Sequence, residues 1–227
     1  MSAAGWYGKL PVLGDFAQRR LPHDFVAPWD AWLQRGVAGS QAALGNDWLD
    51  TYLTAHVWHF VLMPGVLGNQ GWAGVWTPSV DRVGRYFPFT LAAPLPADQA
   101  LGDSAPALGA WLKQLEETAR LALQLEHDIE QLEVALVSLG PPPASRLFTD
   151  ILEGVGARFA RREELIDLIS LPSDCLDALA TGSLLHALNG YSTWWCYNND
   201  SSCGGFAHRG LPDAAFLLKM LAYSPGD

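Results

Sequence analysis

Cysteine, charge and long apolar runs are all scarce in this sequence of 227 residues. It has three cysteines, an odd number without a disulfide-scaffold spacing, which is typical of reduced thiols. Its most apolar stretch, residues 57–68, is interrupted by a histidine and a proline and is too short to span a bilayer. The first residues lack the basic and apolar regions of a secretory signal peptide. We therefore expect a cytoplasmic protein without direct membrane insertion.

Basic residues are also few. Asp and Glu number 24 against 14 Lys and Arg, which gives a net charge of −10 at pH 7. Residues 1–97 are balanced in charge, so the acidic surplus follows residue 97. An acidic chain repels the phosphates of nucleic acids and of anionic lipids. We expect no nucleic-acid partner.

What the sequence has in quantity is apolar and aromatic side chains. Apolar residues make up 49% of the chain, and ten residues are tryptophan. This composition supports a substantial core and excludes a disordered protein. The stretch 140–143 (Gly-Pro-Pro-Pro) resembles a linker, but apolar periodicity resumes directly after it. The sequence therefore predicts a single domain over residues 1–227.

Apolar periodicity changes several times along the chain, which predicts interleaved helices and strands. The predicted strands cover 6–11, 56–63, 72–76, 86–92, 192–197 and 205–209. One predicted helix has Pro28 in its first turn and Trp29 and Trp32 on one stripe. A second covers 47–55, with Trp48, Leu49, Tyr52 and Leu53 inward. A third begins at 106 and can continue past 128, and further helices cover 146–153, 163–169 and 213–221. We expect an α/β fold in which helices cover a mixed sheet, partly antiparallel because several strands follow each other closely.

The segment Ser79–Arg85 places Asp81, Arg82 and Arg85 between two apolar strands. One interpretation is a charged loop whose arginines bind backbone carbonyls and a neighbouring carboxylate. The other is a rigid recognition surface, because guanidinium groups bind carboxylates and phosphates through two parallel hydrogen bonds. Residue spacing leaves both open.

A second charged cluster lies near the start of the chain and contains Lys9, Asp15, Phe16, Arg19 and Arg20. If the first strand pairs beside the strand that follows Tyr86, both clusters share one edge of the sheet. We then expect Asp81 to pair with Arg82, Arg85 or Lys9, with at least one of the two arginines accessible.

Signals for catalysis, cofactors and metals are weak. Residues 190–194 begin like a nucleophile elbow, but Trp194 stands where the elbow needs glycine. His208 and Asp213 follow, so a serine hydrolase using Ser192 remains an alternative. His56, His59 and the cysteines lack a zinc-site spacing. We predict no catalytic residue, no cofactor and no metal.

Trp194 and Trp195 are neighbours on a predicted strand, so their side chains must point to opposite faces. The outward tryptophan is a candidate contact residue, because an exposed indole is costly without a partner. Cover by a neighbouring loop or helix is the alternative interpretation.

Several motifs resemble the TagF family of type VI secretion-associated proteins. They are Gly5–Pro11, Gly14–Phe16, Arg19–Pro22, Pro28–Leu33, Pro78–Thr90 and, more weakly, Ser192–Trp195. The resemblance implies a layered α-β-α sandwich and a cytoplasmic, post-translational negative regulator of type VI secretion. It also implies non-catalytic binding to a forkhead-associated scaffold protein.

The candidates for partner binding or for a family motif are Lys9, Asp15, Arg19, Ser79, Asp81, Arg82, Arg85, Trp194 and Trp195. A structural accessory subunit of the secretion apparatus is a further alternative. The sequence does not indicate an oligomeric state.

Overall fold

The computed structural model describes residues 3–95, 105–124, 128–143, 165–167, 188–198 and 202–223. The described helices are α1 (His23–Leu44), α2 (Trp48–Thr54), α3 (Ala105–Ala122), α4 (Ile129–Leu139) and α5 (Ala214–Leu221), with a short 3-10 helix, Gly45–Asp47, before α2. The described strands are β1 (Gly5–Gly8), β2 (Ala17–Arg19), β3 (Trp58–Leu62), β4 (Trp72–Thr77), β5 (Phe89–Pro94), β6 (Leu165–Asp167), β7 (Tyr191–Asn198) and β8 (Ser202–Arg209). The predicted combination of helices and strands is confirmed.

One sheet holds all eight described strands, in the order β2-β1-β5-β4-β3-β7-β8-β6. Each pair of neighbouring strands is antiparallel. The prediction of a mixed sheet is therefore wrong for the described strands, because strands joined by short connections, such as β7 and β8, return in the opposite direction. β1 is paired on both sides, with Trp6 opposite Arg19 of β2 and Leu91 of β5.

The sheet buries apolar side chains on both faces, because successive residues of a strand point to opposite sides. On one face, called here the α3 face, the strands and helices α3 and α4 share a core cluster that includes Val61, Val75, Leu91, Trp195, Leu112, Leu115, Leu132 and Leu136. On the other face, called the α1 face, the strands share a cluster with α1, α2 and α5 that includes Phe60, Trp76, Trp194, Trp29, Trp32, Tyr52 and Leu217.

Two predicted helices differ from the observed ones in length. α1 begins at His23, so Pro28 lies in its second turn and not in the first turn as predicted. Its buried side chains follow the predicted stripe, which includes Trp29 and Trp32. The helix predicted from residue 106 ends at Ala122, and α4 starts separately. At that start Asp128 accepts a hydrogen bond from the Gln131 N–H at 2.8 Å, and the Gln131 side chain accepts one from the Asp128 N–H.

The inward face predicted for α2 is only half correct. Trp48 and Tyr52 are buried, but Leu49 and Leu53 are exposed. Part of the helix predicted over 163–169 is also wrong, since Leu165–Asp167 pairs with β8 as a strand. The helix predicted over 146–153 lies outside the described residues. None of the described helices is long and apolar enough to cross a membrane.

Candidate functional site

Part of the second charged cluster, Lys9, Asp15 and Phe16, meets the first cluster where β1 ends. β1 pairs with β5, as expected, so the residues after β1 lie beside the segment that precedes β5. We call this segment, Ser79–Arg85, the Asp81 loop. Gly8 makes the exit from β1 possible, because its φ is 129° and a Cβ there would lie 2.1 Å from the Pro88 carbonyl oxygen. The next residue, Lys9, enters the loop's interior.

Asp81 is the centre of this arrangement and is 3% exposed. Its Oδ2 accepts from the Lys9 ammonium at 3.1 Å and from the Arg85 Nε–H at 2.7 Å. Its Oδ1 accepts from the backbone N–H groups of Val83 at 3.0 Å and Arg85 at 2.9 Å. Burial acts to raise the pKa of Asp81, but the hydrogen bonds from Arg85, Lys9 and Val83 outweigh it and hold the pKa well below its usual range. Asp81 is therefore an ionised carboxylate with both oxygens occupied.

Backbone contacts hold the loop to its surroundings as well. The Ser79 hydroxyl donates to the Lys9 carbonyl at 2.7 Å. The Tyr52 hydroxyl of α2 donates to the Ser79 carbonyl at 3.1 Å and accepts from the Ser79 N–H at 3.0 Å. Burial raises the pKa of Tyr52, so its hydroxyl stays protonated and able to donate. Ser79 is thus a buried anchor of the loop.

The outer surface of the loop combines charged and apolar groups. Arg82 and Arg85 are exposed, and Val83 between them is 65% exposed. Phe16 is 44% exposed and lies with its ring 4.8 Å from the Lys9 ammonium and 4.8 Å from the Phe87 ring. Gly84 closes the turn at a φ of 84°, a conformation that favours glycine.

The two arginines of the loop have different surroundings. Arg85 binds Asp81, donates to the Gly14 carbonyl and lies 3.6 Å from the Asp15 carboxylate. The predicted pairing of Asp81 is therefore confirmed, with Lys9 and Arg85 as its partners. For Arg85 the interpretation as a carbonyl- and carboxylate-binding arginine is correct. Among the described residues Arg82 forms one hydrogen bond, from its backbone N–H to the Leu13 carbonyl at 2.8 Å, and its guanidinium lies near Gly14.

Arg19, another candidate, belongs to a different arrangement. It lies on β2, with its guanidinium 3.4 Å from the Glu133 carboxylate of α4. The same carboxylate accepts from Arg20 and from the Trp6 indole N–H at 2.7 Å. This group ties the β1–β2 hairpin to α4 on the α3 face. The only sequence signal for this arrangement was the pair of adjacent arginines, Arg19 and Arg20.

Trp194 and Trp195 do not provide an exposed contact residue. Both side chains are fully buried, Trp194 in the cluster of the α1 face and Trp195 in that of the α3 face. β7 lies in the middle of a sheet that is covered on both sides, so neither neighbour points to solvent. The expectation that one of them faces outward is wrong, and the alternative of cover by neighbouring elements is correct.

Ser192 is not arranged as a nucleophile. It is buried, and its hydroxyl donates to the Gly210 carbonyl at 2.6 Å and accepts from the Trp194 indole N–H at 2.8 Å. Asp213 caps α5 by accepting from the Phe216 N–H at 2.7 Å. The hydroxyl proton therefore has a backbone acceptor, whereas a nucleophilic serine needs a side-chain base within hydrogen-bonding distance.

A buried pair that the sequence did not reveal lies on the α3 face. His59 is completely buried, and its Nε2 binds the Glu116 carboxylate of α3, which also accepts from Arg120 at 2.7 Å. Burial lowers the pKa of His59, so it is neutral and donates from Nε2. Burial acts to raise the pKa of Glu116, but its bonds to His59 and Arg120 outweigh this and lower it. The Glu116–Arg120 spacing was the one available sequence signal.

Comparison with known proteins places the chain in a family. Residues 5–139 match the TagF N-terminal domain, type VI secretion system-associated. The chain belongs to the TagF family. The chain is similar to PA0076 from Pseudomonas aeruginosa PAO1, whose crystal structure is known. The two sequences are 37% identical over an alignment that covers 99% of this chain and 100% of that chain, and the two structures superpose with a TM-score of 0.72. No curated protein matches the chain.

The matched range of the TagF family has a clear relation to the candidate residues. It contains the Asp81 loop, Lys9, Asp15 and Arg19, whereas Trp194 and Trp195 lie beyond it. TagF-family proteins are associated with type VI secretion. Within this family the Asp81 loop is the candidate functional site that the geometry of the described residues supports best.

Proposed function

We propose that this chain is a post-translational negative regulator of type VI secretion, which acts in the cytoplasm by non-catalytic binding to a forkhead-associated scaffold protein. Family membership supports the association with type VI secretion. The observation that supports the binding role best is the Asp81 loop, which is held from within and presents exposed cationic and apolar side chains.

A loop of this kind is suited to binding a protein. Its backbone is fixed by the Asp81 carboxylate and by Tyr52, so little further conformational entropy is lost when a partner binds. Arginine and aromatic side chains are enriched at the residues that dominate binding energy in protein interfaces. The loop surface offers Arg82, and the exposed Phe16 packs against Lys9 and Phe87 at the base of the loop.

The non-catalytic part of the proposal is supported by the surroundings of Ser192, the one candidate nucleophile of the sequence. Its hydroxyl is buried and donates to a backbone carbonyl. A serine-reactive phosphonate probe distinguishes the two functions. Stoichiometric labelling of Ser192 would show a serine hydrolase and contradict the proposal, whereas no labelling agrees with it.

Deletion of the gene separates a regulator from a structural accessory subunit. Loss of a negative regulator raises type VI secretion, whereas loss of a structural subunit abolishes it. The binding partner is tested by capture of the purified scaffold protein on the immobilised chain, with the scaffold's forkhead-associated domain and its remainder offered separately. Raised secretion together with scaffold capture is the expected result, and unchanged or abolished secretion would contradict the regulatory role.

We also infer the layered α-β-α sandwich that the family resemblance implies. The two core clusters support this, since α3 and α4 pack on one face of the sheet while α1, α2 and α5 pack on the other.

A further inference from the structure

Among the described residues, Arg82 has no acidic partner, unlike the other cations of the two charged clusters. The paired cations and their partners are Lys9 and Arg85 with Asp81, and Arg19 and Arg20 with Glu133. The guanidinium of Arg82 is exposed and forms no ion pair or side-chain hydrogen bond with the described residues. Within the part of the chain that the structure describes, the five donors of that guanidinium have no acceptor and can bind a ligand.

The backbone that carries Arg82 is nevertheless fixed. Its own N–H donates to the Leu13 carbonyl at 2.8 Å. On its two sides, the Gly84 N–H donates to the Asp81 carbonyl at 3.0 Å, and the Val83 N–H donates to the Asp81 carboxylate at 3.0 Å. The loop thus fixes the backbone from which the Arg82 guanidinium extends, so little backbone entropy is lost when a partner binds there.

The neighbouring side chain is apolar. Val83 follows Arg82 directly and is 65% exposed, so a cation and an apolar group stand side by side at the tip of the loop. The chain as a whole carries a net charge of −10, which disfavours the approach of an acidic partner in general. An acidic segment would therefore be oriented toward this unpaired arginine, since complementary charge fixes the orientation of an encounter.

We infer that Arg82 and Val83 form the recognition pair for a protein segment that carries a carboxylate next to an apolar side chain. Arg85 does not contact the segment; it positions the loop by binding Asp81. The inference rests on the proposed function, because the binding partner used in its test is the scaffold protein named there.

The test measures binding of the purified scaffold protein to the full chain by calorimetry at low and high NaCl. Arg82→Ala is expected to weaken binding about 10- to 100-fold, the loss typical of a charge-assisted hydrogen-bonded contact. Arg82→Glu is expected to weaken it further, and Val83→Ser to weaken it several-fold. The wild-type affinity should fall as salt rises, and less steeply in Arg82→Ala, because the ion pair is screened.

Arg35→Ala is the matched control, since it removes an exposed arginine from α1. It should keep wild-type affinity, and thermal melting of all Arg82 variants should match the wild type, because this side chain holds nothing in place. If Arg82→Ala and Arg82→Glu bind the scaffold like the wild type, the inference is wrong while the proposed function stands.

A second measurement separates the two claims when the wild-type chain does not bind the scaffold. That result contradicts the proposed partner, and Arg82 is then judged by type VI secretion in cells that express each variant. Arg82→Ala should release secretion, whereas Arg35→Ala should not. Full repression by Arg82→Ala would overturn the role of Arg82 whatever the partner is.

Discussion

Asp81 shows how one buried charge organises a surface. Its carboxylate accepts from two backbone N–H groups and two cations. Its removal therefore leaves the buried Lys9 ammonium without an acceptor among the residues that the structure describes. An unpaired buried charge is strongly destabilising. The residue itself is inaccessible, which makes it a positioning residue for the exposed groups around it.

Asp81→Ala should therefore lower the melting temperature by about 5 °C or more. Asp15→Ala is the matched control, since its carboxylate side chain is 81% exposed and lies 3.6 Å from Arg85. Differential scanning calorimetry of both variants checks this. Equal melting temperatures for Asp81→Ala and wild type would show that the Asp81 contacts do not stabilise the fold.

His59 should make stability fall below neutral pH. Burial lowers its pKa, so the unfolded chain takes up a proton near the ordinary histidine pKa of about 6.5 while the folded chain does not. Unfolding is then favoured as pH falls through that range, by at most about 1.4 kcal/mol per pH unit. Glu116 acts in the same direction at lower pH, because its pKa is lowered in the folded state and its paired charge is lost on acidification.

The measurement is urea unfolding of wild type and His59→Gln at pH 7, 6 and 5. Glutamine keeps a donor for Glu116 but does not titrate, so the variant should lose less stability than the wild type between pH 7 and 5. Parallel losses in both proteins would mean that His59 is protonated in the folded state.

At the scale of elements, the sequence predicted most helices and strands but not which of their faces are covered. The stripe of Trp29 and Trp32 identified α1 because its period is helical. Leu49 and Leu53 satisfied the same rule on α2, yet a two-turn helix at the edge of a core buries one side only. A period defines a helix, but packing against distant segments decides which side is buried.

The same limit applies to the candidate site. The sequence placed Lys9 and the Asp81 loop together through one assumption about strand pairing, and β1 does pair with β5. It could not show that Trp195 is covered, since that depends on α3 crossing the sheet. Nor could it show the His59–Glu116 pair, whose members are 57 residues apart.

A capping box marks the break between α3 and α4, but the continuous helical spacing of apolar residues predicted one uninterrupted helix there. Asp128 and Gln131 form a capping box at the start of α4. Asp128→Ala should lower the free energy of unfolding by about 1 kcal/mol, the usual cost of losing a side-chain cap. Glu130→Ala, an exposed change in the same helix turn, is the control, and chemical denaturation measures both. A cost no greater than that of Glu130→Ala would mean that the cap does not define the helix start.

For the whole molecule, we predict a single domain with no stable fragment ending near Pro141. The apolar pattern resumes after the proline run, and the two core clusters each combine side chains from before and after residue 143. Limited proteolysis followed by mass spectrometry tests this. Release of two fragments that each unfold cooperatively would show two domains instead.

The position of β3 has a consequence for synthesis on the ribosome. β3 lies between β4, which follows it within 15 residues, and β7, which is made about 130 residues later. A nascent chain that has completed β1 to β5 therefore presents β3 as an open edge, with Trp58, Phe60 and Leu62 on one side of it. Long apolar edges of this kind pair readily with other chains, and non-local strand pairing is slow. Premature termination before Tyr191 should thus give an aggregation-prone product, so the yield of folded protein depends on how often synthesis reaches the last strands.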